Sequence, residues 1–174
     1  GTVQFGIDYG ISNKAGKPNQ DKVNEIISFL QNEGINSFDT AKGYGDSENV
    51  LGNYFNDTDF SNNYVVSKFD SKDLELNEEQ FLSFIKDSLS KLKFDILFGL
   101  LMHNSNFMDK WNNSFSKKVE LLKINKIIKY FGVSIYSNDE FEMALNNDDI
   151  DIIQIPFNIM DQRAKYNGWF QKAK

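Results

Sequence analysis

Hydrophobic and polar residues along the chain follow patterns that predict strands and helices in alternation. Apolar residues from Val23 to Leu30 have the spacing of one buried helix face, and Gly34 can end that helix. The nearly unbroken apolar run at residues 96–102 is typical of a strand that is buried on both faces. Further strands are predicted at residues 1–5 (the end of a strand), 35–40, 64–67, 127–134 and 150–155.

Helices are predicted between these strands, and polar residues mark where several of them begin. Asp46 can cap a helix that ends near residue 55, and Asn77 can cap a longer helix with one apolar face. Ser137 and Glu140 have the spacing of a capping box for another helix. Two more helices are predicted, one with an apolar face between residues 111 and 122 and one at residues 162–173.

The alternation predicts an α/β fold with six βα units in a single domain spanning residues 1–174. Such regular alternation favours a parallel sheet covered by helices. A closed (β/α)8 TIM barrel typically needs about 250 residues, so we expect about six units of such a barrel, incomplete at its last two units. An open doubly wound sheet is the alternative, but the sequence lacks the Gly-x-Gly-x-x-Gly phosphate loop of that fold.

Composition narrows the possible partners and the compartment. The net charge of −6 comes without a long basic run, so neither nucleic acid nor a membrane surface is an expected partner. No apolar run approaches the roughly 20 residues of a membrane span. The chain has no cysteine, which excludes disulfides and thiolate zinc sites and suits a reducing cytoplasm, the compartment that we expect.

Four polar residues follow strand-like segments at the positions where an α/β barrel places its chemistry. Asp39 lies at the end of the strand predicted at 35–40 and Tyr44 comes after it, while Lys68 follows the next strand and His103 follows the apolar run. Each residue alone has an ordinary structural interpretation, such as a turn cap or a solvated strand end. Their occurrence together at the same end of successive strands favours a functional site.

The chemistry of these four residues is coherent. A free tyrosine has a pKa of about 10, and a nearby lysine cation such as Lys68 is expected to lower the pKa of Tyr44. Asp39 would keep the lysine charged and oriented, and His103 could donate a hydrogen bond to a carbonyl oxygen. None of these groups supplies a hydride, so a redox reaction at this site requires a cofactor.

The sequence resembles the aldo-keto reductase family over effectively its whole length. The most specific motif is Phe-Asp-Thr-Ala at residues 38–41, followed at family spacing by Tyr-Gly at 44–45, Ser-Glu at 47–48 and Leu-Gly at 51–52. Weaker matches in the same order are Gly-Thr at residues 1–2, Lys68, His103, Gly-Val-Ser at 132–134, and Gln154 before Pro156 and Asn158. The family is a (β/α)8 barrel that reduces aldehydes and ketones with NADPH.

The resemblance implies a role for each matched residue. Tyr44 would be the general acid, Lys68 with Asp39 would tune it, and His103 would orient the carbonyl of a small-molecule substrate. The residues implied at the cofactor are Thr2 and Asp39, which would line its site, and Ser134 and Gln154, which would hold the nicotinamide carboxamide. The loop at residues 6–16 would border the substrate pocket, with Tyr9 as a wall.

Two departures from the family pattern leave other interpretations open. Ile135 stands where many members have an asparagine, and no sequence corresponds to the last two units, which carry the phosphate-binding groups. NADH is therefore not excluded, and open sheet edges would favour self-association and weak activity. The alternatives are a non-catalytic, reductase-like binding module and an aldolase that forms a Schiff base on Lys68. No metal site is expected.

Overall fold

The computed structural model of the protein describes residues 1–56, 62–104 and 111–173. Its centre is one parallel sheet of five strands in the order β1-β2-β3-β4-β5, so each strand pairs with the next along the chain. The strands are β1 (Ser37–Asp39), β2 (Tyr64–Phe69), β3 (Leu97–Met102), β4 (Ile128–Ser134) and β5 (Ile152–Gln154). This strand order is that of a partial (β/α)8 barrel and confirms the predicted fold class.

Helices connect the strands and precede the first one. They are α1 (Val3–Gly6), α2 (Gln20–Asn32), α3 (Ser47–Asn56), α4 (Glu78–Leu92), α5 (Asn113–Ile124), α6 (Asn138–Leu145), α7 (Arg163–Tyr166) and α8 (Trp169–Lys172), with a 3-10 helix at Ser71–Glu75. In the described part of the chain, no helix has both the length and the apolar character needed to cross a membrane.

The capping residues predicted from the sequence begin two of these helices. The side chain of Asn77 accepts a hydrogen bond from the backbone N–H of Gln80, at 2.9 Å, at the start of α4. At the start of α6, Ser137 and Glu140 form the reciprocal capping box. Each contact satisfies a backbone donor that would otherwise be unpaired at the helix end.

The core lies between the sheet and its covering helices, and aromatic rings fill much of it. Phe69 of β2 packs edge-on against Phe81 of α4, with 5.2 Å between ring centroids. Phe115 of α5 packs in the same way against Phe131 of β4, at 5.7 Å. All four rings are buried, so each helix is attached to its neighbouring strand by apolar surface removed from water.

The sheet curls so that its first and last strands approach each other. The side-chain amide of Gln154, at the end of β5, donates a hydrogen bond of 3.0 Å to the Asp39 carboxylate at the end of β1. Gly132 permits the close approach of β5 to β4, because a Cβ at its position would lie 2.2 Å from the carbonyl oxygen of Ile152. The polar ends of all five strands therefore surround a common space.

The structure corrects three expectations from the sequence. Residues 1–5 do not form a strand: the N–H and hydroxyl of Thr2 both donate to the Asp39 carbonyl, and the chain then turns into α1. Residues 162–173 form two helices, α7 and α8, because Gly168 adopts a left-handed conformation with φ of +71° between them. The described residues consequently contain five strands of the sheet, where the sequence suggested six.

Candidate active site

The polar residues predicted from the sequence meet at the carboxyl ends of the parallel strands. Asp39, Ser134 and Gln154 are the last residues of β1, β4 and β5, and Lys68 is the penultimate residue of β2. An open cavity of about 230 Å³ lies at this end of the sheet. Its lining residues are Asp39, Tyr44, Lys68, His103, Ser134, Tyr136, Gln154, Ile155 and Pro156.

Lys68 and Asp39 form the buried ion pair of the site. The ammonium group of Lys68 contacts the Asp39 carboxylate and also donates to the carbonyl oxygen of Thr40, at 3.1 Å. Only 2% of Lys68 is exposed. Burial lowers the pKa of Lys68, while the hydrogen bond and charge of Asp39 act in the opposite direction. Asp39 thus holds the lysine in one position.

Tyr44 lies beside this pair but is not hydrogen-bonded to it. The Lys68 nitrogen is 5.2 Å from the centre of the Tyr44 ring, and no hydrogen bond joins the Tyr44 hydroxyl to another described residue. Burial, followed by the negative charge of Asp39, raises the pKa of Tyr44 to about 12. This is opposite to the lowering expected from the sequence. The charge of Lys68 is balanced by Asp39, so desolvation of the phenol decides the direction.

His103 faces the same cavity from the end of β3. Its ring contacts the Tyr44 ring edge-on, with 5.5 Å between centroids and an angle of 76° between planes. Its backbone N–H donates to the carbonyl of Phe69, at 2.9 Å, which continues the pairing of β2 and β3. Burial and then the charge of Lys68 lower the pKa of His103, against smaller opposite contributions from Asp70 and Asp39. The imidazole is therefore neutral at neutral pH.

Ser134 and Gln154 stand side by side as paired residues of β4 and β5. The Gln154 amide nitrogen is used by Asp39, at 3.0 Å, which leaves the Gln154 carbonyl oxygen as an acceptor. The Ser134 hydroxyl makes no hydrogen bond to any other described residue. A primary amide group both donates and accepts hydrogen bonds. The Gln154 carbonyl oxygen can accept a bond from such a group, and the Ser134 hydroxyl can donate one to it.

Two residues predicted near the cofactor or substrate have other positions. Thr2 is buried behind Asp39: its hydroxyl donates to the Asp39 carbonyl, at 2.9 Å, and lies 2.8 Å from the hydroxyl of Ser47. Thr2 is not among the cavity-lining residues, and neither is Tyr9, which is 55% exposed. A part in ligand binding for either residue stays a prediction.

The sequence interpretation missed Tyr136, which lines the cavity. Its position could have indicated this, because Tyr136 lies two residues after the end of β4 and the segments that follow the strands of a barrel carry functional side chains. Ile135, between Ser134 and Tyr136, is fully buried in the hydrophobic core. The departure from the family's asparagine thus puts an apolar side chain into the core and no amide into the cavity.

The described residues contain no cluster of three or more histidine, aspartate or glutamate side chains that could hold a metal ion. The polar groups of the cavity are instead two phenols, an imidazole, a buried ammonium–carboxylate pair, a hydroxyl and an amide. All of these groups except the carboxylate can donate hydrogen bonds to a carbonyl oxygen, and a phenol can also donate a proton to it.

Several solved structures of other proteins are similar in fold to this chain. PA4992 from Pseudomonas aeruginosa superimposes with a TM-score of 0.80 at 25% sequence identity, over 99% of this chain and 68% of that one. The holo form of aldo-keto reductase AKR11C1 from Bacillus halodurans gives 0.74 at 21% identity, over 89% of this chain and 55% of that one. An aldo/keto reductase from Klebsiella pneumoniae, in complex with NADP and acetate, gives 0.72 at 19% identity, over 92% and 58%.

The last two likenesses show a shared fold, and this chain spans 55% and 58% of those two structures. A comparison with curated protein sequences found no match. The model of the aldo/keto reductase family matches residues 1–174, which is the full length of the sequence. The chain therefore belongs to the aldo/keto reductase family.

Proposed function

We propose that the protein reduces the carbonyl group of a small aldehyde or ketone to an alcohol, with Tyr44 as the proton donor. The observation that carries this proposal is the convergence of Tyr44, His103 and the buried Lys68–Asp39 pair on one cavity. Membership of the aldo/keto reductase family supports an oxidoreductase by ancestry.

The protonation states of the site suit this role. With its pKa raised to about 12, Tyr44 keeps its proton through the neutral range and can donate it to an oxygen that is gaining negative charge. The Lys68 ammonium, held in place by Asp39, lies 5.2 Å from the centre of the Tyr44 ring, so a cation stands beside the phenol that would lose the proton. Neutral His103 can hold the substrate oxygen by a hydrogen bond without competing for the proton.

Ser134 and Gln154 are the residues that would hold a nicotinamide carboxamide. Their hydroxyl and amide carbonyl groups are adjacent on β4 and β5, and the bond from Gln154 to Asp39 fixes the orientation of the glutamine. A nicotinamide cofactor, when bound, supplies the hydride that none of these side chains carries. We expect NADPH, with NADH as the alternative to be measured beside it.

The test replaces Tyr44 with phenylalanine, which removes the hydroxyl and keeps the ring. Loss of general acid catalysis typically costs 10²–10⁴-fold in rate, so we expect kcat to fall by about that factor while NADPH affinity changes little. Tyr166→Phe is the matched control, because Tyr166 is 79% exposed and is not among the cavity-lining residues. Reduction of a good carbonyl substrate by Tyr44→Phe at the parental rate would refute the assignment.

Two further measurements separate this proposal from the alternatives. Titration with NADPH and NADH, followed by quenching of intrinsic fluorescence, shows whether the chain binds a cofactor, and an absence of binding would favour a non-catalytic module. Borohydride trapping with a carbonyl compound tests a Schiff base on Lys68. We expect no trapped adduct, because Asp39 and the Thr40 carbonyl already engage the lysine nitrogen.

A further inference from the structure

We propose that Lys42 is a positioning residue for Tyr44, because its side chain ties the loop that carries Tyr44 to helix α4. The proposal concerns residues 40–46, which connect the end of β1 to the start of α3. The expected effect on kcat rests on the proposed role of Tyr44, whereas the connection between the loop and α4 does not.

Three contacts join the Lys42 side chain to α4. Its ammonium group donates to the carbonyl oxygen of Phe84, at 2.9 Å, and to the carboxylate of Asp87, also at 2.9 Å. The same nitrogen lies 4.0 Å from the centre of the Phe84 ring, within the range of a cation–π contact. With 15% of its side chain exposed, Lys42 is more enclosed than a surface lysine.

The backbone of Lys42 is fixed on the opposite side. Its N–H donates to the carbonyl of Lys68 in β2, at 2.9 Å, and the N–H of Tyr44 donates to the carbonyl of Ala41, at 3.0 Å. The turn from residue 41 to residue 44 therefore starts from a backbone that is held between β2 and α4. Because Tyr44 follows Lys42 by only two residues, movement at Lys42 would move the phenol.

Lys42 is distinguished from its neighbour Lys91 by this connection. Both lysines contact Asp87, Lys91 at 2.8 Å, but Lys91 lies on α4 itself, so its ion pair stays within one helix. Hydrogen bonds from Lys91 and then Lys42 lower the pKa of Asp87, so this carboxylate stays ionised at neutral pH. Of these two ion pairs, only that of Lys42 crosses from the Tyr44 loop to the helix.

The experiment compares Lys42→Met with Lys91→Met as the matched control. Methionine keeps most of the apolar stem and removes the cation. Hydrogen–deuterium exchange of the peptide covering residues 41–46 reports on the loop without any substrate. We expect exchange in Lys42→Met to be at least about 10-fold faster, and kcat to fall about 10-fold, within the range that a small misplacement of a catalytic group can cost. KM and cofactor affinity are expected to stay within about twofold, and Lys91→Met is expected to behave like the parent.

Each outcome has a distinct meaning. Equal exchange in the parent and Lys42→Met, or unchanged kcat in a variant with a loosened loop, overturns the proposal. Faster exchange in a protein that reduces no carbonyl compound supports the tie to α4 and refutes the proposed function instead. If Lys42→Met does not fold, Asp87→Asn, which removes the ionic partner only, should give the same pattern with smaller changes, and parental behaviour of Asp87→Asn overturns the proposal.

Discussion

His103 illustrates how the surroundings of one residue set its chemistry. Burial and the nearby charge of Lys68 disfavour the imidazolium, and the carboxylates of Asp70 and Asp39 oppose this only in part. The pKa of His103 consequently lies below the ordinary value of 6.5. A neutral ring in contact with Tyr44 can donate a hydrogen bond, whereas an imidazolium would be a competing acid next to the phenol.

The pH dependence of stability provides a test at this residue. In the window below 6.5, the unfolded chain binds a proton at His103 more readily than the native protein does, so the free energy of unfolding should fall as the pH is lowered through 6.5. His103→Gln should show a shallower fall between pH 7.5 and pH 5 in urea unfolding. His103 is the single histidine of the chain, so its imidazole signal can be titrated directly by NMR. A midpoint at or above 6.5 would contradict the assignment.

The placement of several polar residues around one cavity could be predicted from the sequence, but their protonation could not. Asp39, Lys68 and His103 stand at or just after the carboxyl ends of β1, β2 and β3, and the common edge of a parallel sheet brings them together. The pKa of Tyr44 depends on burial and on whether Asp39 neutralises Lys68, and both require three-dimensional positions. Tyr136 was missed because its residue type alone carries no specific chemical signal.

At the scale of elements, the Tyr44 loop is shaped by contact with the end of α1. A Cβ on Gly6 would lie 1.6 Å from the carbonyl oxygen of Tyr44 and 2.6 Å from the backbone nitrogen of Ser47. Gly45 faces Gly6 in turn and has a positive φ of 57°. Two backbones thus meet without side chains between them, which fixes the loop by a second contact besides that of Lys42 with α4.

A pair of alanine substitutions tests this contact. Gly6→Ala must displace backbone atoms, and overpacking of this kind typically costs about 1–3 kcal/mol of stability, occasionally more. Gly43→Ala is the matched control in the same region, because no atom lies within 4 Å of a Cβ at that position and its φ is not positive. Urea unfolding should separate the two variants by at least about 1 kcal/mol. Equal stabilities would mean that the backbones do not meet as described.

Local sequence signals were sufficient for some elements and not for others. Asn77 and Ser137 fix helix starts through bonds to residues three positions later, so the sequence around them contains the needed information. The conformation of residues 1–5 depends instead on Asp39, because its carbonyl oxygen accepts hydrogen bonds from both the N–H and the hydroxyl of Thr2. The break at Gly168 lies between two short helices that the sequence predicted as one helix, and the left-handed backbone at that glycine separates them.

At the scale of the whole molecule, the Asp39 carboxylate joins the first and last strands of the sheet. It pairs with Lys68 of β2 and accepts the amide of Gln154 of β5, 115 positions along the chain. The same residue therefore holds the ammonium group of the site and closes the curl of the sheet. Because Asp39 contacts both Lys68 and Gln154, we expect the stability of the protein and the geometry of the site to be coupled through this residue.

Asp39→Asn tests this coupling, because it leaves the Lys68 cation buried without its carboxylate. Breaking a buried pair on one side costs about 3–5 kcal/mol, and since the Asp39 side chain is 29% exposed we expect a loss near the lower end of that range. The pKa of Lys68 should fall further below 10.5, so the unfolded state binds more protons and the stability of the variant should rise with pH up to that value. Adding Lys68→Met removes the unpaired cation. We expect the double variant to regain part of the lost stability, and its stability should no longer rise with pH. A double variant as unstable as the sum of the two single variants would show that the pair is not coupled.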